Sequence, residues 1–222
     1  MEKEKKVTCY SAGPDLFPRD LPNGERETWD EAQIRVRKQN EIISNNPLFE
    51  VITPSSDIGA YGANTSWEKR RVCMLLQDLL YSKRSDVVFA NVTPFGGREP
   101  DSGTLVEAVN CALSGGILVL WASPLTTFAE KYADADVHPD SEFDEHYNLM
   151  LEQLYRLSWQ LHFGVALPVF DGLEAAVAET AKRIEQHGVQ RISIADELDY
   201  ADDQSDIVAA VKDLMTHFGM SL

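Results

Sequence analysis

Two carboxylates stand six residues apart in the stretch Glu99-Pro100-Asp101-Ser102-Gly103-Thr104-Leu105-Val106-Glu107. Such a pair can flank a glycosidic carbon. One carboxylate attacks the anomeric carbon and the other serves the leaving group, which is what glycosyl transfer with retention requires. Asp101 also has a plainer role open to it, because Asp and Ser are good N-cap residues for the helix that the following pattern predicts. Glu107 lies among Leu105, Val106, Ala108 and Val109. It is either on an exposed stripe or buried for a purpose, and spacing alone leaves both readings open. A second candidate is Tyr10-Ser11-Ala12-Gly13-Pro14-Asp15-Leu16-Phe17, where small residues let a ligand approach the backbone. An ordinary turn has the same composition, and no GxGxxG dinucleotide fingerprint is present. Asp78 falls late in a Leu-rich helical pattern, and Asn148-Leu149-Met150 follows an acidic stretch. Read alone, they are a solvated carboxylate and a helix start with Met in the core.

These residues need a frame to bring them together. Residues 7–12, 49–52, 86–92, 117–122 and 165–170 read as strands. Residues 28–44, 67–80, 102–113, 147–161 and 173–184 read as helices, the first with Thr28 as N-cap and Glu31 three residues on. The run from Val87 to Ala90 is wholly apolar, as suits a buried parallel strand. Residues 123–145 form a polar connection of more than twenty residues, a length typical of functional lids or of disordered segments. A short strand at 191–194 and a helix at 205–217 close the chain. Strand alternating with helix five times predicts a flavodoxin-like three-layer α/β/α sandwich around a mostly parallel five-stranded sheet. Such sheets bind ligands at the carboxyl ends of their strands, here the loops after Ala12, Val92 and Trp121. The 147–161 helix carries Leu149, Leu151, Leu154, Tyr155, Leu157 and Trp159. That is more apolar surface than one helix face needs, and part of it is expected to pack against another subunit.

Composition narrows the function classes. The 222 residues carry 36 acidic and 20 basic side chains, a formal net charge of −16. A nucleic-acid backbone needs a basic surface, so no nucleic-acid partner is expected, whereas a small neutral substrate is compatible. The acidic stretches at 134–145 and 196–206 read as solvated loops. Cys9, Cys73 and Cys111 are odd in number and form no CxxC, so free thiols in a reducing, cytoplasmic setting are expected. The five histidines form no HxH or HExxH spacing, so neither a metal nor a cofactor is expected. No apolar run approaches a signal segment or a membrane span, so no membrane partner is expected either.

Taken together, these stretches resemble the nucleoside 2-deoxyribosyltransferase family. The matching elements are Tyr10 with Ala12-Gly13-Pro14 and Phe17, then Asp86-Val87-Val88-Phe89-Ala90-Asn91, then Pro94-Phe95-Gly96-Gly97-Arg98-Glu99-Pro100-Asp101-Ser102-Gly103-Thr104, then Glu107, then Asn148-Leu149-Met150. They occur in the family's order over roughly residues 7–171, and the 95–107 stretch looks closest to the purine-preferring, trypanosomal-type branch. The resemblance implies that Glu107 is the nucleophile and that Asp101 positions the sugar. It implies that Asp78 handles the proton of the base and that Tyr10 hydrogen-bonds the nucleophile. Ala12, Gly13, Phe17, Asn91, Ser102 and Gly103 would bind substrate, a deoxynucleoside and a free nucleobase. Asn148 and Met150 would complete the neighbouring subunit's site, which implies a homodimer or higher homo-oligomer. On this reading residues 1–188 form the transferase-like domain and 189–222 an extension with one helix. The chain departs from the family pattern at Asn91, where relatives often have Asp, and at Val109, where Gly is usual. It departs again at Gly115-Gly116-Ile117, which replaces Gly-Lys-Pro.

Two other classes fit parts of the pattern. A 5′-monophosphate N-glycoside hydrolase would use the same carboxylates and need a phosphate site, for which Ser102 and Arg98 are candidates. A non-catalytic nucleotide-binding module would have no need to keep both Asp101 and Glu107.

Overall fold

The apolar runs of the sequence become the middle of a sheet. The computed structural model describes residues 6–14, 18, 25–52, 66–95, 97–132 and 149–193. Strands β1 (Val7–Ala12), β3 (Val87–Asn91) and β4 (Ile117–Ala122) lie side by side, and β3 and β4 are buried at every position. Strand β2 (Phe49–Ile52) flanks β1, and a two-residue β5 (Phe170–Asp171) flanks β4. The order is β2-β1-β3-β4-β5 and all four pairings are parallel. This is the flavodoxin-like layered α/β arrangement, and its order reverses between β1 and β3. Asp86 fixes the amino end of that central pair, its Oδ2 accepting from the Thr8 amide at 2.9 Å and the Thr8 hydroxyl at 2.7 Å.

Helices α1 (Trp29–Ser44) and α6 (Leu173–His187) pack together on one face. On the other lie α2 (Trp67–Arg84), α3 (Ser102–Leu113) and α5 (Leu149–Phe163). The start of α1 is the capping box read from the sequence, with Thr28 and Glu31 satisfying each other's free backbone donors. Gly115 ends the turn after α3 with φ +84°, and a Cβ there would lie 2.9 Å from the Ser193 amide nitrogen. The Gly-Gly pair before β4 therefore answers a backbone demand.

Several expectations change. Helices α2 and α6 run on to Arg84 and His187. The 123–145 connection includes a one-turn helix, α4 (Phe128–Lys131), while residues 133–148 lie outside the described residues. The strand expected at 165–170 shrinks to Phe170–Asp171, and the reason lies in α5. Its Ser158 hydroxyl accepts from the Leu118 amide at 3.1 Å and its Trp159 indole donates to the Leu118 carbonyl at 2.8 Å. Both backbone groups of β4 at that level are thus satisfied without a neighbouring strand. Much of the apolar surplus of α5 turns inward. Leu151, Tyr155, Trp159 and Phe163 are buried in the chain's own core, with Trp159 wedged between Phe163 and Phe170 at ring separations of 5.0 and 5.7 Å. Met150 of α5 stays exposed, and a larger exposed aliphatic surface lies on Val72, Leu75, Leu76 and Leu80 of α2 and Val106, Val109 and Leu113 of α3.

Residues 191–193 form no strand. Instead Ile192 donates its amide to the Gly115 carbonyl at 3.1 Å. The Arg191 guanidinium reaches the carbonyls of Arg84, Ser85 and Ser114 at 3.0–3.2 Å, gathering the carboxyl ends of α2 and α3. The helix expected at 205–217 lies outside the described residues. Among the described residues no helix is long and apolar enough to cross a membrane.

Candidate active site

Alternation along β1 turns Tyr10 toward the α2 and α3 face. There its hydroxyl donates to Glu107 Oε1 at 2.8 Å. Glu107 is only 9% exposed, because it shares the inward stripe of α3 with Thr104, Ala108, Cys111 and Ala112. Val106 and Val109 take the outward stripe instead. The Tyr10 ring lies 6.3 Å from that of Tyr81 on α2, which seats it beneath that helix.

Asp78, also on α2, faces Glu107 across a cavity of about 200 Å³. Leu75, Leu79 and Val106 form its apolar walls, and Ser102 and Gly103 at the start of α3 form its polar end. Burial pushes the Asp78 carboxyl up to about 6, against an opposing pull from a hydrogen bond with Tyr10. A carboxyl poised there exchanges its proton near neutral pH. Tyr10 thus links two carboxylates with one hydroxyl proton. With that proton on the Glu107 side, the Tyr10 oxygen can accept from Asp78 when Asp78 is protonated. Deprotonated, the two carboxylates compete for it. A carboxyl oxygen in apolar walls, a neighbouring acid near neutrality and a hydroxyl joining them suit nucleophilic displacement with proton transfer.

No family model and no curated protein matches the chain. Solved structures do. A 2-deoxyribosyltransferase from Leishmania mexicana superposes with a TM-score of 0.54 at 25% identity, over 79% of this chain and 97% of that one. The fold is that of a 2-deoxyribosyltransferase. A CMP N-glycosidase from Clostridium botulinum aligns over 79% of this chain and 98% of its own, with a TM-score of 0.39 and 12% identity.

In this deoxyribosyltransferase-like frame the remaining residues singled out by sequence fall in different places. Asp101 is the N-cap of α3. Its Oδ2 accepts from the Thr104 amide at 2.9 Å and the Thr104 hydroxyl at 3.2 Å, and the cavity lining starts at the next residue, Ser102, without Asp101 itself. Gly103 makes room for that carboxylate, since a Cβ would come 2.9 Å from Asp101 Oδ2. Ala12 and Gly13 sit at the carboxyl end of β1, Ala12 in register with Ala90 of β3. Asn91 is buried, and its Oδ1 accepts from the Thr93 amide to turn the chain out of β3. Neither Asn91 nor Ala12 lines the cavity that holds Glu107. Met150 is 81% exposed in the first turn of α5. Phe17 and Asn148 lie outside the described residues. Arg98, a candidate for phosphate, stacks its guanidinium 5.1 Å above the Tyr132 ring, whose hydroxyl donates to Glu99.

Sequence reasoning passed over the cavity walls Leu75, Leu79 and Val106. It also passed over Asn110, whose amide joins α3 to α2. Its one signal in the sequence is its place three residues after Glu107, on the same side of the helix.

Proposed function

We propose that this chain is an enzyme of N-glycosidic bonds, a nucleoside 2-deoxyribosyltransferase that passes 2-deoxyribose between nucleobases. The observation that carries the reading is one cavity holding Glu107 and Asp78, joined by the Tyr10 hydroxyl. A Glu107 oxygen attacks the anomeric carbon as the bond from that carbon to the base nitrogen breaks. The bonding pair leaves with the base, which takes the proton from Asp78. An incoming base then attacks the same carbon, expels the Glu107 carboxylate and returns its own proton to Asp78. Water in place of the base gives hydrolysis. The test is to incubate the protein with deoxyinosine and free adenine and separate the products. Deoxyadenosine is the expected product, with free deoxyribose as a minor one. If purine and pyrimidine deoxynucleosides give neither exchange nor free sugar, the reading is wrong.

In this reading Tyr10 orients the nucleophile through a hydrogen bond to a charged oxygen. Tyr10→Phe is expected to lower kcat roughly tenfold to a hundredfold, the equivalent of about 1.5–3 kcal/mol, with KM nearly unchanged. Steady-state kinetics at saturating base decide it. An unchanged kcat would remove Tyr10 from the chemistry.

We also propose that a second copy of the chain covers the α2 and α3 face and completes the site. The cavity of about 200 Å³ is smaller than the roughly 300–1,000 Å³ of typical ligand pockets, so more walls are required. Two of its walls, Leu75 and Val106, belong to the exposed aliphatic face. Copies that each carry a net charge of −16 repel at long range. Contact through aliphatic side chains adds no further repulsion, and Val72, Leu76 and Leu80 of α2 with Val109 of α3 supply such side chains. The exposed Met150 is available to a partner, as the resemblance suggests for the Asn-Leu-Met segment. Leu76→Glu, at a position 60% exposed and outside the cavity lining, is expected to yield monomers and lose most activity. Light scattering that finds an active single chain in the unaltered protein at assay concentration overturns this assembly. We further propose a cytoplasmic location, in keeping with the free thiols of Cys9, Cys73 and Cys111.

A further inference from the structure

The two carboxylates of the cavity sit on different helices, and α2 and α3 meet there through Leu75, Leu79 and Val106. Aliphatic contact is non-directional and sets no fixed register between two helices. A directional tie is present one turn away. Asn110 Nδ2 donates to the Leu79 carbonyl at 2.7 Å and to the Ser82 hydroxyl oxygen at 2.7 Å, while Ser82 Oγ donates to the same Leu79 carbonyl at 3.2 Å. Chemistry fixes the orientation of the amide. A carbonyl only accepts, so a flipped Asn110 would set oxygen against oxygen. Ser82 is fully buried. Asn110 follows Glu107 by three residues and Ser82 follows Asp78 by four, so on each helix the tie lies on the side that bears the carboxylate. Leu79, which takes both bonds on its carbonyl, is the residue next to Asp78.

We propose that Asn110 is a positioning residue whose two hydrogen bonds to α2 set Asp78 at the separation from Glu107 that lets one substrate meet both. The proposal rests on the reading of Glu107 as nucleophile and Asp78 as proton carrier. Without the tie, Arg191 still joins the carboxyl ends of α2 and α3, but at the level of Asp78 the helices meet through aliphatic side chains, so α2 can shift there and water enters beside Asp78. A misplacement of about 1 Å between reacting groups lowers rate by on the order of a hundredfold.

The test uses Asn110→Leu, similar in size but unable to bond, and Ser82→Ala, which keeps the bond from Asn110 to Leu79. Two readouts are needed: kcat and KM for base exchange, and the pH titration of the Asp78 carboxyl carbon by NMR, assigned through its loss in Asp78→Asn. Among the described residues the titratable groups facing Asp78 are Tyr10 from β1 and Glu107 from α3, and both variants leave them intact. Asn110→Leu is expected to lower kcat about tenfold to a hundredfold with little change in KM, and to move the Asp78 titration down toward the ordinary carboxylate range. Ser82→Ala is expected to produce the same changes, only smaller. A folded Asn110→Leu protein with the original kcat and the original Asp78 titration overturns the proposal, whatever its melting temperature. If Asn110→Leu does not fold, Ser82→Ala decides by the same two readouts. If the unaltered protein exchanges no base, the functional reading fails, and the titration alone still decides whether Asn110 holds Asp78 in place.

Discussion

Glu107→Ala is expected to abolish base exchange while leaving a folded protein. Removing the nucleophile of a covalent route lowers kcat by on the order of a thousandfold or more, because the intermediate forms on that side chain. The fold should survive for a specific reason. Glu107 is a nearly buried carboxylate on an otherwise apolar stripe, and its replacement by alanine removes a group that is costly to bury. The Tyr10 hydroxyl loses an acceptor but lies close enough to Asp78 to turn to it. Circular dichroism and thermal melting check the fold, and chromatography of the exchange reaction checks turnover. Mass spectrometry of the unaltered enzyme, quenched with a slow substrate, should find one deoxyribosyl unit on the peptide containing Glu107. A folded Glu107→Ala protein with turnover near that of the unaltered enzyme would end the mechanism.

Asp78→Asn carries the second largest expected loss, about a hundredfold to ten-thousandfold in kcat, the usual range for a general acid. Its signature is in the pH profile. Asp78 must be protonated to supply the leaving base, and its carboxyl is pushed up to about 6. In the unaltered enzyme kcat/KM for cleavage should therefore fall as pH rises through about 6, and in Asp78→Asn that limb should vanish. Stability should move the other way. The folded chain holds this proton up to about 6, whereas the unfolded chain releases it near 3.8, the ordinary value of an aspartate. The stability that the group lends is complete below the unfolded value and is lost as pH rises through about 6. At neutral pH the asparagine variant should accordingly melt higher than the original. A variant that keeps both the limb and the original melting temperature would mean that Asp78 neither carries the proton nor is strained by burial.

Much of this frame was legible because period and burial agreed. Ile117–Ala122 and Val87–Ala90 are continuous apolar runs, and such runs become strands covered on both faces. Thr28 with Glu31 marked a helix start that the structure keeps. Where hydrophobicity and burial disagreed, the sequence was silent. Helix α3 turns Val106 and Val109 outward and Glu107 inward, the reverse of what side-chain polarity alone suggests, so the burial of the central residue stayed open. The aromatic wealth of α5 looked like surface for a partner and proved to be core. The fifth strand misled for a related reason, since Ser158 and Trp159 supply the hydrogen bonds that a strand would have made. The tie at Asn110 was marked only by its place three residues after Glu107, because the bond itself depends on how α2 and α3 lie side by side.

The reach of Arg191 bears on where the working unit ends. The last helix of the strand–helix alternation stops at His187, and a boundary drawn there looks natural. Yet one guanidinium beyond it binds free carbonyls at the ends of both helices that bear the two carboxylates, where each helix concentrates partial negative charge. Arg191 is therefore a buckle on the two helices that carry Asp78 and Glu107, fastened at their carboxyl ends. A fragment ended at His187 would keep the whole lining of the cavity and still lose the fastening that holds α2 and α3 abreast.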